Sequence, residues 1–369
     1  MKAQLRRVGK RLRLVPPDVE PMADYGYFGP DSVTWKVWGH TTTPVIGFQR
    51  AVVVEELDPA LIASVDATGA NYDRPHTRYD RTVRYFSMVA VADSESVIKA
   101  ADILVKVHSK AIGTEPISGN KYDANDPKSQ LWILLTGWHS VLKAYEMYGG
   151  GKLTPEEEER YWAECAIAAE FQTCDPNDVP AMSEGVRAYF EQMRPHLAVS
   201  EAALRMMDHL LDAKVVLPPA PPALKPAVEI INLLLRAGTI ATMPRWMRRL
   251  SGFDQPRIVD IAVRPVLTLG FGIINRIPRL KLAVAGLIAP SMVPVAAPYI
   301  LGIAPRSTAV LTPAEARRRY GYAKPADAHL ELRANQHDRV FGEGKPPSDE
   351  GLIESQAHLG ELGLVKGLG

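Results

Sequence analysis

At 369 residues the chain is longer than one typical hydrophobic core, so one large domain or two unequal ones is expected. Its 46% apolar and 23% charged residues describe an ordinary globular protein, and 43 basic against 42 acidic side chains argue against a general nucleic-acid binder. Cys165 and Cys174 are too few for a disulfide framework.

The chain opens on "MKAQLRRVGKRLRLVPP", with six bases before its first acid, Asp18. It has no apolar core of the kind a secretory signal needs, so a cytoplasmic protein is expected. Residues 1–22 read as a basic arm, either solvated or held electrostatically on an anionic membrane face. Residues 23–323 read as one helical domain. Within it Arg50–Glu55 offers a short strand, and no alternating run is long enough for a longer one.

From Arg81 to Gly113 runs "RTVRYFSMVAVADSESVIKAADILVKVHSKAIG". Asp93 or Ser94 supplies an N-cap, Glu95 puts negative charge in the first turn, and Gly113 can close the far end. Val97, Ala101, Leu104, His108 and Ile112 recur at spacings of four, three, four and four, one stripe of a 3.6-residue period. His108 therefore points inward, where both ring nitrogens need partners. A hydrogen-bonded core histidine satisfies this, and so does a metal ligand.

Helical punctuation continues. "ANDPKSQLWILLTGWHSVLKAYEMYGGG" has Asp126 as N-cap, Pro127 at the first position and a glycine stop. "LTPEEEERYWAECAIAAEF" sets Thr154 and Glu157 at capping-box spacing, and another helix starts at Ser200. Residues 215–226, "VVLPPAPPALKP", read as a stiff linker inside the domain, followed by the apolar helices "AVEIINLLLRAGTIATMP" and "QPRIVDIAVRPVLTLGFGIINRIP". Leu282–Pro305 is free of charge for 24 residues, but Pro290, Pro294 and Pro298 interrupt it. It reads as a partly extended apolar segment wrapped on the core or along a hydrophobic ligand's path, with shallow membrane contact open to any exposed part. Residues 324–369 mix Gly, Pro and charge and read as a loosely ordered tail. The fold class is all-α.

The serine-hydrolase elbow, the P-loop, the dinucleotide fingerprint, His-Glu-x-x-His and Cys-x-x-Cys are all missing. Long apolar helices with isolated inward histidines leave one chemistry open, a cofactor held between helices by few bonds, and haem fits it.

These segments together resemble the MpaB and latex-clearing-protein (rubber oxygenase) family. The resemblance runs from about Asp24 to Leu250 through "DYGYFGPDSVTWKVWGH", "RAVVVEELDPALIASV", the Arg-x-x-x-Thr element of "RYDRT", "VHSKAIG", "YDANDPKSQLWILLTGWHSVLKAYEMYGG", "LTPEEEERYWAE" and "MPRWMRR". It implies a globin-like helical core with a haem-type pocket, haem b as cofactor and dioxygen as co-substrate. It makes His108 the proximal iron ligand and places Arg78 and Thr82 in the same pocket. The turn at Asp93–Ser94 is short enough to bring Thr82 and His108 to one level. Arg78 and Arg81 could clamp the propionates, or simply pair with Asp73 or Asp80 at the surface. Leu134 stands where many relatives carry a histidine; His40 and His139 are second-line ligands. Glu55 and Glu56 are the nearest candidates for the family's base, unless they are solvated acids at a helix start.

Two functions follow. One is a haem-dependent oxygenase acting on a hydrophobic isoprenoid or lipid, with Arg78, Arg81 and Thr82 at the reacting site. The other is a non-catalytic lipid- or isoprenoid-binding protein at a membrane surface, touching it through the basic N-terminus or residues 282–305.

Overall fold

The helix Pro127–Tyr148 is buried along almost its whole length in the computed structural model, which describes residues 19–67, 74–217 and 220–348. Its start is fixed locally: Asp126 Oδ1 accepts hydrogen bonds from the amides of Lys128 and Ser129, each 3.0 Å, and Pro127 needs no amide partner at the first position. Its end is fixed by the Gly149 amide, which returns to the Tyr145 carbonyl at 2.8 Å. Between these ends Trp132, Leu135, Trp138 and Leu142 are fully buried. A helix apolar on every side belongs in the middle of a domain, and this one is the axis of the fold.

Around it stand the other helices; with it they make sixteen α-helices among the described residues, beside one two-stranded sheet, so the chain is all-α as expected. Phe48–Glu55 lies closest to the central helix. A Cβ on Gly47 would come within 3.1 Å of the Val141 Cα, so glycine there lets the two backbones approach. Arg50–Glu55, expected as a strand, belongs to this helix. The valines favour a strand locally, but the helical register sends Val53 and Val54 wholly into the core, and packing overrides propensity.

Pro75–Val91 and Ser94–His108 are joined through Ala92 and Asp93, and Asp93 is the cap, accepting from the Ser96 amide at 3.0 Å. The second helix stops at His108, four residues before Ile112. Ile112 and Gly113 lie in a hairpin instead, Ile112–Thr114 paired antiparallel with Lys121–Asp123. Gly113 does not close the helix; its bare Cα leaves room for the Tyr122 ring.

The apolar segment Leu282–Pro305 is helical and not extended: Pro278–Ile288, a 3₁₀ turn at Pro290–Met292, then Val293–Leu301. Pro278, Pro290 and Pro294 occupy first-turn positions, where a missing N–H costs nothing, and only Pro298 lies inside a helix. The segment does wrap on the core, against Pro75–Val91. The Ser291 amide donates to Asp80 at 3.0 Å, Ser87 Oγ to Met292 Sδ at 3.2 Å, and the Tyr299 hydroxyl to the Trp35 carbonyl at 3.0 Å.

Residues 1–18 of the basic arm lie outside the described residues, as do 349–369 of the expected tail and 218–219 of the linker. The linker is short: 3₁₀ turns at Ala213–Val215 and Pro222–Leu224 flank it, and a helix begins at Lys225. Residues 324–348 carry the helix Leu330–His337, and His329 Nε2 sits 2.6 Å from Asp102 on the helix Ser94–His108. Cys165 and Cys174 are buried and unpaired.

Replacing the axis helix's cap, Asp126→Ala, is expected to destabilise the fold by about 1 kcal/mol through two lost charge-assisted bonds. Urea denaturation should show a lower midpoint with an unchanged slope; an unchanged midpoint would mean the helix start is held by packing alone.

Candidate functional site

Three helices end or begin near one another beside the central helix. Phe48–Glu55 contributes Glu55 and Glu56 at its C-terminal end, Pro75–Val91 contributes Arg78, and Ser94–His108 contributes His108. The central helix completes the group. Thr136 Oγ1 donates to Glu55 Oε1 at 3.3 Å, and Trp132 Nε1 donates to the Glu55 carbonyl at 3.4 Å. Gln130 reaches the His108 ring, its Nε2 3.3 Å from Nδ1.

The electrostatics follow from burial. Glu56 is only 3% exposed, and its Oε2 has no hydrogen-bond partner. Desolvation pushes its carboxyl up to about 8; the Arg78 guanidinium pulls back, while neighbouring Glu55 adds to the rise. Burial likewise carries Glu55 up to about 7, opposed by the Thr136 hydroxyl and by Arg78. The Arg78 charge acts on both carboxyl groups and on the imidazole. Burial lowers its pKa and both glutamates raise it. These acids are not solvated and do not start a helix; two carboxyl groups poised near neutrality share one cation.

His108 is neutral over the same range. Burial first, then the Arg78 charge, push its pKa down to about 4, although the Ala124 carbonyl bonds the ring and favours the cation. That carbonyl also accepts from Gln130 Nε2 at 2.6 Å, and the Ala124 amide is itself tied to Ala111 at 3.0 Å. One side of the ring is thus held by Gln130 and Ala124. A neutral imidazole with its far nitrogen fixed is a suitable donor for one metal bond. Among the described residues no three His, Cys, Asp or Glu side chains gather to hold a bare metal ion. A single imidazole suffices when the metal brings four ligands of its own, as haem iron does, so the donor set fits haem.

The other expected residues fall elsewhere. Thr82 is half-buried one turn beyond Arg78, and its hydroxyl donates back to the Arg78 carbonyl at 3.1 Å. Arg81 is exposed and forms no ion pair among the described residues. Asp80 is occupied by the Ser291 amide, and Asp73 lies outside the described residues. His139 is buried near Arg50, whose charge adds to desolvation in lowering its pKa; its Nδ1 has no partner. His40 bonds Thr42 Oγ1 at 3.0 Å, on the rim of a cavity of about 30 Å³ walled by Trp38, Ala285, Met292 and Tyr299. That is room for about one water. Ile300 also lines it, and none of Arg78, Thr82 or His108 does.

Gln130 and Thr136 escaped sequence reasoning. The one available signal was polarity at buried turns of a helix otherwise apolar, which does not say what the polar groups face.

Residues 35–276, about two thirds of the chain, match the family model described as "ER-bound oxygenase mpaB/B'/Rubber oxygenase, catalytic domain". Comparison with curated proteins and with solved structures yields no match.

The Glu56 shift fixes a pH dependence. The folded chain keeps a proton on Glu56 up to about pH 8, whereas the unfolded chain releases it near 4.5, so stability falls as pH rises between them. His108 works oppositely between about 4 and 6.5, because the unfolded chain binds its proton first, and adds nothing above that range. Glu56→Gln is therefore expected to gain on wild type by about 1–2 kcal/mol between pH 6.5 and 8.5. Urea melts across this range check it; parallel curves would show that Glu56 does not titrate there.

Proposed function

Because the chain belongs to the MpaB and rubber oxygenase catalytic-domain family, its function is of the oxygenase type, and we propose that it is a haem b-dependent oxygenase acting with dioxygen on a hydrophobic isoprenoid or lipid. One observation carries the reading. Glu55, Glu56, Arg78 and His108, from three separate helices, share one electrostatic site beside the central helix.

His108 would hold the iron through Nε2, its ring fixed by the Gln130 and Ala124 side of the pocket. Bound haem supplies a redox iron able to activate dioxygen. His108 stays neutral at working pH, so it offers a lone pair without first losing a proton. Glu55 and Glu56, raised close to neutrality, can each hold or take up a proton at a carboxyl oxygen, which is what a general acid–base pair requires. Arg78 keeps part of that pair ionised and orients it. Thr82 Oγ1, tied to the Arg78 carbonyl, holds the same turn of helix in place. Arg81, being exposed, is the arginine free to neutralise a propionate at the solvent edge.

Purification from cells supplied with haem tests this directly. The wild type should show a Soret band, and His108→Ala should lose it. Arg81→Ala should retain the histidine-ligated spectrum while haem affinity falls about tenfold. A wild type that stays colourless after haem addition would overturn the reading in favour of a lipid-binding protein without the cofactor. A full spectrum in His108→Ala would move the ligand to another histidine, with His139 and His40 next.

A further inference from the structure

The helix Arg257–Arg276 is apolar on two opposite faces. Val263, Leu267 and Phe271 are buried, with Phe271 6.5 Å from the Tyr148 ring of the central helix and Leu267 against Gly238 of the helix Lys225–Thr242. The other face bears Ile258, 69% exposed, and Leu269, 66% exposed, with Ile261 and Ile273 also open to water. The neighbouring helix Lys225–Thr242 adds Ile230 and Leu233, 60% and 63% exposed. Apolar side chains clustered this way on adjacent elements mark a contact surface.

A second feature says what covers it. Arg257, Asp260 and Arg264 follow at i, i+3 and i+7 along one edge of the helix, where a groove of about 510 Å³ is lined by Arg245, Arg257 and Arg264 over Met147, Ile261 and Pro265. Asp260 also faces this groove, but Arg248 neutralises it through bonds of 2.9 and 3.1 Å. Among the described residues Arg245, Arg257 and Arg264 form no ion pair. From Lys225 to Lys281 the sequence holds ten basic and three acidic residues, in a chain whose net charge is +1. Positive charge is concentrated where the apolar surface is.

We propose that this face docks on an anionic lipid bilayer, a phosphate-bearing headgroup seated among Arg245, Arg257 and Arg264 and the outer stripe of Arg257–Arg276 sunk among the acyl chains. The helix is long and apolar enough to cross a membrane. It lies flat instead, because Val263, Leu267 and Phe271 are committed to the core and Arg264 and Pro265 sit near its middle. The docking face is distinct from residues 1–22 and 282–305, the segments whose sequence suggested membrane contact, and does not depend on the site around His108.

Vesicle co-sedimentation of the full chain tests it. Wild type should bind phosphatidylcholine vesicles containing about 30% phosphatidylserine, weaken with added salt, and bind phosphatidylcholine alone poorly. The triple variant Arg245→Ala, Arg257→Ala, Arg264→Ala should bind the anionic vesicles about 100-fold more weakly, at about fivefold per arginine. Leu269→Asp, at an exposed position that leaves the core intact, should also lose binding, with circular dichroism confirming both folds. The proposal is overturned by equal binding to both vesicle types, by a triple variant that binds like wild type, by binding of inorganic phosphate without vesicle binding, or by a dimer that forms through this face and ignores vesicles.

Discussion

Two neighbouring carboxyl groups leave water together at the end of Phe48–Glu55, and a single guanidinium, Arg78, faces them both. Ionising both carboxyl groups there would cost desolvation that a single cation only partly offsets. The fold resolves this by keeping the pair protonated to near-neutral pH and bringing in one cation from a helix that begins twenty residues later. The same cation lowers the proton affinity of His108 and so keeps that imidazole an electron-pair donor. A polar site with one charge too few for its acids is thereby held in readiness at physiological pH.

The scaffold makes the arrangement possible. The central helix supplies a rigid wall of tryptophan and leucine, and from that wall Gln130 and Thr136 reach the imidazole and a carboxyl group. The close approach at Gly47 presses the glutamates' helix onto it. The joint at Ala92–Asp93 folds Pro75–Val91 and Ser94–His108 so that residues near their far ends share one site. Each contact is ordinary; their convergence is what gives the site its chemistry.

Much of the helical framework was legible in the sequence because its signals are local. Asp126, Thr154 with Glu157, and Ser200 all cap the helices expected of them. What failed was decided at a distance. Nothing near Val52–Val54 announces the core that buries Val53 and Val54 completely, so the run reads as a strand. Ile112 continues a helical stripe by spacing, yet the chain has already turned into a hairpin. The prolines from Pro290 to Pro298 look disruptive until three-dimensional placement puts two of them in first turns. At the site turn length pointed to Thr82 at the level of His108, whereas the charge coupled to the ring is that of Arg78, one turn earlier. The stripe carrying His108 could be read from periodicity. The burial of Glu55 and Glu56 could not, because it depends on Arg78 and Thr136, far along the chain.

Difference infrared titration of the carboxyl groups, wild type against Glu56→Gln, probes that buried pair most directly. A protonated carboxyl band that persists at pH 6, disappears with a midpoint between about 7 and 8, and is diminished in Glu56→Gln is the result expected. A spectrum in which every carboxyl group has ionised by about pH 5 would contradict the shared, near-neutral site on which the account rests.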